Sequence, residues 1–321
     1  MRGVLILTEA SRKMGYGHLS RCVSLKQALS KAKVFTKLYV RGDDSAKAFA
    51  KDAVLFEWLN WDKTYLKALS KRYFAVVIDS YYAPEEFYQE CARVFKAIIA
   101  MDDFKRLSGE GLCILNPGLY ASEMGYLGKN HMLGPKFALL RKPFWGNFFK
   151  KIRARSARFL LTFGGEDIRG LTPRFVRALK SAFGLELLVV IGHGSSLGVC
   201  ELDGVRVYRA LNALGMRRLM ERADIVLSAG GQTTFELACV GLGGVLISVA
   251  DNQVLNCQSW HSSGVFTWAG NWDDENLETK VLSGLSEFFS YEKRLRSMVL
   301  GRNQVDGLGV FRVVRQILEL N

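Results

Sequence analysis

The chain has 321 residues, 49% of them apolar, which is enough for two domains with sizeable cores. No apolar run approaches the ~20 residues that span a bilayer, and the apolar start at residues 4–7 is too short for a signal-peptide core. A cytoplasmic protein without stable membrane insertion is therefore expected. The six cysteines form no C-x-x-C pair, which argues against a zinc site and a disulfide framework, and the formal charge of +13 calls for an anionic partner.

Residues 4–7 open a first strand. The polar loop 9–17 ends in Gly15-Tyr16-Gly17, and His18 then opens a helix. Its apolar residues Leu19, Cys22, Val23, Leu25, Ala28 and Leu29 recur three or four apart. The motif does not complete G-x-G-x-x-G, so a dinucleotide reading finds little support. A helix N-terminus disfavours an imidazolium, so His18 is expected to be neutral and able to take a proton from water. Arg21, three residues on, is expected to share its exposed face. A plain capping histidine is the alternative. His131, His193 and His261 lack a comparable setting.

Residues 34–40 read as a strand, and Asp43-Asp44-Ser45 as a helix start. Trp58, Trp61, Tyr65 and Leu69 read as core or domain-surface residues. Residues 75–78 form a strand with Asp79-Ser80-Tyr81-Tyr82 at its carboxyl end, the ligand edge of a parallel sheet. The strand at 97–100 ends in Asp102-Asp103, read as a turn or cap. With no D-x-D and no histidine partner nearby, no metal and no cofactor are expected. Residues 112–115 read as the last strand of the first half. The stretch 133–158 holds the basic run Lys150, Lys151, Arg153, Arg155 and Arg158, read as a solvated crossing between domains 1–150 and 151–321.

The second half restarts the alternation with a strand at 159–163, then Gly164-Gly165-Glu166-Asp167. Thr172-Pro173 reads as the N-cap and first position of a helix to Lys180. Strands follow at 187–191 (before Gly192-His193-Gly194) and at 205–208, then a helix at 214–221. The apolar run 225–227 leads into Gly230-Gly231, and Thr233 or Thr234 caps a helix that exits at Gly241. The strand at 245–249 completes a βαβ unit. A diphosphate fits its helix N-terminus at Gly231, Gln232 and Thr233. Glu236 stands one turn in, within reach of a ribose hydroxyl pair, and Asn252 and Gln253 follow the next strand on the same rim. A glycine turn without a ligand is the alternative. Helices are expected from Gln253 to Trp260, at 276–289 and at 309–320. The class is α/β, with two Rossmann-like domains and a cleft between them.

With both glycine turns placed, the chain resembles the GT-B architecture of nucleotide-sugar enzymes. More closely, it is similar to the UDP-sugar hydrolases of pseudaminic acid biosynthesis, relatives of the murein glycosyltransferase. The resemblance rests on GYGHLSRC at 15–22, VIDSYY at 77–82, MDDF at 101–104, LGPKFALLRKPF at 133–144, FGGED at 163–167, SAGGQTTFEL at 228–237 and ADNQ at 250–253. It implies that His18 is the catalytic base and that Tyr81 helps to hold the reacting water. It also implies that Glu236 binds the uridine ribose and that Asn252 binds substrate. Gly15, Gly17, Arg21, Asp167, Gly231, Gln232, Thr233 and Gln253 are read as further substrate-binding residues. The implied reaction is metal-free hydrolysis of UDP-2,4-diacetamido-2,4,6-trideoxy-β-L-altropyranose with inversion. The expected partner is a UDP-sugar, with no nucleic acid, and the chain is expected to be a monomer. A glycosyltransferase and a non-catalytic sugar-nucleotide sensor are the rival classes. The chain departs from the pattern at Gly243-Gly244, where a proline is frequent, and at Glu9, Arg12 and Lys13, where small polar residues are expected.

Overall fold

The computed structural model describes residues 3–11, 14–146, 150–164, 167, 169–191 and 203–320. Arg12, Lys13, Gly165, Glu166 and Gly192-His193-Gly194, singled out above, lie outside them. The chain divides into two compact units: Met1–Lys142 with Leu308–Asn321, and Pro143–Gly307.

The first unit runs β1 (Gly3–Ala10), α1 (Gly17–Lys31), β2 (Thr36–Gly42), β3 (Val54–Leu55), α2 (Lys63–Ser70), β4 (Tyr73–Asp79), α3 (Glu85–Val94), β5 (Ala97–Met101), β6 (Cys113–Asn116) and β7 (Met132–Leu133). The sheet order is β3-β2-β1-β4-β5-β6-β7, and every pair is parallel. All residues of β1 and β4 are buried, which is why both read as unbroken apolar runs rather than as alternation. Trp58 is fully buried and ties its indole N–H to the Thr8 carbonyl at 3.0 Å, so it is a core residue. The strand at 113–116 is not the last of this half, because β7 pairs outside it.

The second unit runs β8 (Arg158–Thr162), α4 (Leu171–Phe183), β9 (Glu186–Ile191), β10 (Val205–Arg209), α5 (Ala213–Arg222), β11 (Ile225–Ala229), α6 (Thr233–Val240), β12 (Gly244–Ser248), α7 (Val254–Ser262), β13 (Phe266–Asn271), α8 (Leu277–Glu287) and α9 (Tyr291–Gln304). Its parallel sheet has the order β10-β9-β8-β11-β12-β13. Both sheets therefore reverse strand order once, between β1 and β4 and between β8 and β11. Ligands of open α/β sheets bind at such switch points, beyond the carboxyl ends of the strands.

Three local expectations change. The final helix α10 (Gly309–Glu319) was read with the second half but belongs to the first unit, where Phe311 lies under the Lys31 ammonium of α1. The helix expected at Thr172 begins at Leu171 and runs to Phe183, because Asp167 rather than Thr172 receives its first N–H groups. The basic run is only in part the solvated linker expected: Lys151 and Arg155 are exposed, but other members are tied into the second unit. Lys150 is buried and donates to the carbonyls of Met220 and Glu221 at 3.0 and 3.2 Å and to that of Ala223, closing the end of α5. Arg153 pairs with Asp224 at 2.9 Å. Burial pulls the Lys150 ammonium down to about 8.

Gly244 explains one departure from the sequence pattern. A Cβ there would run into the Val226 backbone, so glycine lets β12 approach β11.

Candidate functional site

In the first unit, the end of β1 and the start of α1 bring His18 against the end of β4. No side chain caps α1, and Gly15 turns the loop with φ of +82°, the left-handed region where glycine is unstrained. Nothing lies within 4 Å of a Cβ built on Gly15 or Gly17. His18 Nδ1 stands 2.5 Å from Asp79 Oδ1. A carboxylate only accepts, so Nδ1 carries the proton, and the neutral form of such a ring has its lone pair on Nε2. The His18 side chain retains 14% of its exposure, whereas Asp79 has none.

Arg21 is buried and bidentate twice over. Its Nε and Nη2 donate to Asp79 Oδ2 and Oδ1, both at 2.6 Å. Its Nη1 and Nη2 donate to Asp103 Oδ1 and Oδ2, both at 3.0 Å. The guanidinium is thus committed to two carboxylates instead of standing free on the helix face. Burial alone would push the Asp79 carboxyl up. The Arg21 charge, with hydrogen bonds from Arg21 and His18, outweighs it and holds the group well below the usual carboxylate range. Burial likewise opposes the Arg21 charge, and Asp103 and Asp79 reverse that, raising it well above its ordinary value.

Tyr81 follows β4 and donates its hydroxyl to Asp103 Oδ2 at 2.9 Å. Its ring meets the His18 ring edge-on, with centroids 4.2 Å apart and planes at 86°. Burial first, then the Asp103 charge, pushes its phenol far above the ordinary tyrosine value, so Tyr81 stays protonated. The turn that carries it is braced from below. Ser80 Oγ donates to buried Glu9 and accepts the N–H groups of Tyr82 and Ala83 at 3.0 and 2.9 Å. This gives Glu9, the second departure from the pattern, a structural task. Burial pushes its carboxyl up.

Of the Asp102-Asp103 pair, Asp102 is the expected cap, accepting from the N–H groups of Phe104, Arg106 and Leu107 at 3.3, 3.0 and 2.9 Å. Asp103 faces Arg21 and Tyr81. Asp79 and Asp103 were not among the expected site residues, although Asp79 is the last residue of β4 and Asp103 stands just beyond β5.

In the second unit, β11 ends in Gly230-Gly231 and α6 starts at Thr233 with no side-chain cap on its N-cap residue Gln232. Gly231, Gln232 and Thr233 are half-buried, while the rest of α6 is buried. A Cβ on Gly230 would run into Cys257 Sγ. Gln253 Oε1 accepts from the N–H groups of Gly230 at 3.1 Å and Val249 at 3.2 Å. Asn256, which sequence reasoning missed, donates to the Gly230 carbonyl at 2.8 Å and to Thr234 Oγ1 at 3.2 Å. Together these hold the turn so that the uncapped helix end keeps its positive potential. Glu236 lies in the first turn of α6 at 3% exposure, and Asn252 is exposed. Asp167 spends both oxygens on the N–H groups of Leu171 and Thr172, at 2.9 and 2.6 Å.

Solved structures align over the whole chain. Acinetobacter baumannii MurG matches with a TM-score of 0.73 over 99% of both chains at 12% identity. The chain has the GT-B fold. The calicheamicin glycosyltransferase CalG4 shares it, with a TM-score of 0.63 over 100% of this chain and 98% of that one at 12% identity. No protein-family model matches the chain. A Helicobacter pylori protein is 22% identical over 99% of the chain and 56% of its own length. It is named pseudaminic acid cytidylyltransferase and UDP-2,4-diacetamido-2,4,6-trideoxy-beta-L-altropyranose hydrolase. An uncharacterized Methanocaldococcus jannaschii protein is 25% identical over 76% of the chain and 55% of its own length. The chain thus spans about half the length of these two relatives. The Bacillus subtilis spore coat polysaccharide biosynthesis protein SpsG is 22% identical over 98% of the chain and 97% of its own length. Within the GT-B fold, both candidate sites stand at the strand-order reversals of their sheets.

Proposed function

We propose that the chain hydrolyses a UDP-linked 2,4-diacetamido-2,4,6-trideoxyhexose to free sugar and UDP. The fold and the relatives support a sugar-nucleotide-related function, and the name of the Helicobacter pylori relative supports hydrolysis. The observation that carries the reading is the 2.5 Å contact between His18 Nδ1 and Asp79 Oδ1, which leaves Nε2 as a base. Nε2 takes a proton from water as the water oxygen bonds to the anomeric carbon. The bond from that carbon to the UDP oxygen breaks, and its electron pair leaves with UDP. The buried Asp79 carboxylate stabilises the imidazolium that forms. UDP needs charge stabilisation more than a proton, and the uncapped N-terminus of α6 supplies that for the diphosphate. A single displacement inverts the anomeric centre.

His18 is the base, and the start of α6 is the nucleotide-binding end. Glu236 serves the ribose and Asn252 the sugar in this reading. The sequence holds no D-x-D, and a helix N-terminus binds diphosphate unaided, so turnover should survive excess EDTA. Loss of turnover in EDTA, restored by magnesium or manganese, would contradict that.

Transfer to an acceptor would use the same base and the same nucleotide end. Product analysis by proton and phosphorus NMR separates the two. With the UDP-sugar and no acceptor, free reducing sugar and UDP should accumulate. Substrate that stays intact until an alcohol acceptor is added would make the chain a transferase.

A further inference from the structure

Asp103 and Arg21 form a second layer behind the base. Arg21 grips Asp79 and Asp103 with two bidentate pairs, at 2.6 and 3.0 Å, and is itself buried. Each pair fixes the plane of a carboxylate as well as its distance. Asp79 in turn holds His18 Nδ1, and Asp103 holds the Tyr81 hydroxyl at 2.9 Å. The Tyr81 ring closes the circuit by lying edge-on to the His18 imidazole. A second tyrosine, Tyr120, donates to the Asp103 backbone carbonyl at 3.0 Å and fixes the loop from the far side. His18 is therefore located twice, once through its Nδ1 proton and once through its ring, and both routes pass through the Arg21–Asp103 pair. The start of α1 and the ends of β4 and β5, distant in sequence, contribute to one hydrogen-bonded frame.

We propose that Asp103 is a positioning residue: with Arg21 it locks Asp79 and Tyr81 into one arrangement that fixes both the tautomer and the ring orientation of His18. The inference rests on the reading of His18 as the base. It gives Tyr81 a definite polarity, since a hydroxyl that donates its proton to a carboxylate has only acceptor capacity left. It also accounts for an aspartate that would otherwise look like the second half of a turn.

The test uses the full chain and four variants: Asp103→Asn, Arg21→Lys, Tyr81→Phe and the double variant Asp103→Asn with Tyr81→Phe. Two readouts are taken, UDP release from the UDP-sugar and the nitrogen-15 spectrum of the His18 ring, which reports its tautomer without any turnover. Asp103→Asn keeps the shape of the side chain but places a donor where Arg21 and Tyr81 both need an acceptor. It should lower kcat roughly 10- to 100-fold, the scale of a small misplacement of a reacting group, with KM within about twofold. Tyr81→Phe and Arg21→Lys should each lower kcat in the same direction, and the double variant should fall no further than the worse single one. The His18 spectrum should shift from a single Nδ1–H form toward a mixture in Asp103→Asn. A kcat within about twofold of wild type and an unchanged His18 spectrum would overturn the proposal, as would losses that multiply in the double variant. If Asp103→Asn does not fold, Tyr81→Phe alone decides, by the same kcat and spectral criteria. If wild type releases no UDP, the hydrolase reading fails, and the His18 spectra still decide whether Asp103 positions the ring.

Discussion

His18 has one ring nitrogen tied to Asp79, and no hydrogen bond among the described residues engages the other. His18→Asn should therefore lower kcat by ~10²–10⁴, the usual range for a general base, and leave UDP affinity nearly unchanged. Near-normal turnover in kinetic assays would remove His18 from the mechanism. Asp79→Asn places an amide beside Nδ1, which favours the wrong tautomer and costs up to roughly 10⁴ in kcat where such a partner orients a base. The same change has a stability signature. The folded Asp79 carboxyl lies below its unfolded value, so its contribution is complete above about pH 5 and shrinks as pH falls through ~3.9 and below. Acid melts should thus show a steeper decline for wild type than for Asp79→Asn, and parallel curves would contradict the pairing. Glu236→Ala should weaken UDP binding by roughly 1.5–3 kcal/mol in calorimetry if its carboxylate meets the ribose. The glycine-flanked helix start made His18 conspicuous in the sequence. Asp103 was not legible, because its neighbour Asp102 fits a cap and its partners lie 82 and 22 residues away.

The same contrast holds for the elements. Buried parallel strands announce themselves as apolar runs, and both glycine turns fall at strand ends as their sequences indicate. β13 was not anticipated, because Phe266–Asn271 mixes buried and half-buried residues without a clean period. α9 was missed because its apolar residues do not mark its buried face: Arg294, Ser297 and Gly301 are buried, while Tyr291, Leu295 and Val299 are exposed. The basic run looked like linker because the carbonyls that Lys150 engages lie about 70 residues away. Close backbone approach was equally invisible. Gly244→Ala must push β12 off β11, and overpacking of this kind costs about 1–3 kcal/mol or more. Denaturant titration should show that loss; an unchanged midpoint would mean that the strands tolerate separation.

At the scale of the whole molecule, the chain leaves the first unit at Lys142 and returns to it at Leu308. α10 buries Val310, Val313, Val314 and Ile317 there. At roughly 1.5–3 kcal/mol for each buried side chain, these account for much of the 5–15 kcal/mol that stabilises a typical domain. A chain ending at Gly307 should lose the first unit's unfolding transition in calorimetry while keeping that of the second, and two undisturbed transitions would refute this. Sequence reading placed α10 with the second half, because its amphipathic face does not say which sheet's helices it meets. The central claim concerns the bond that is broken. Turnover of the UDP-sugar in H₂¹⁸O, followed by mass spectrometry of both products, tests it most directly. Attack on the anomeric carbon by water activated at His18 predicts the label on C1 of the free sugar and none on UDP. Label on the UDP phosphate would mean attack at phosphorus and would contradict it.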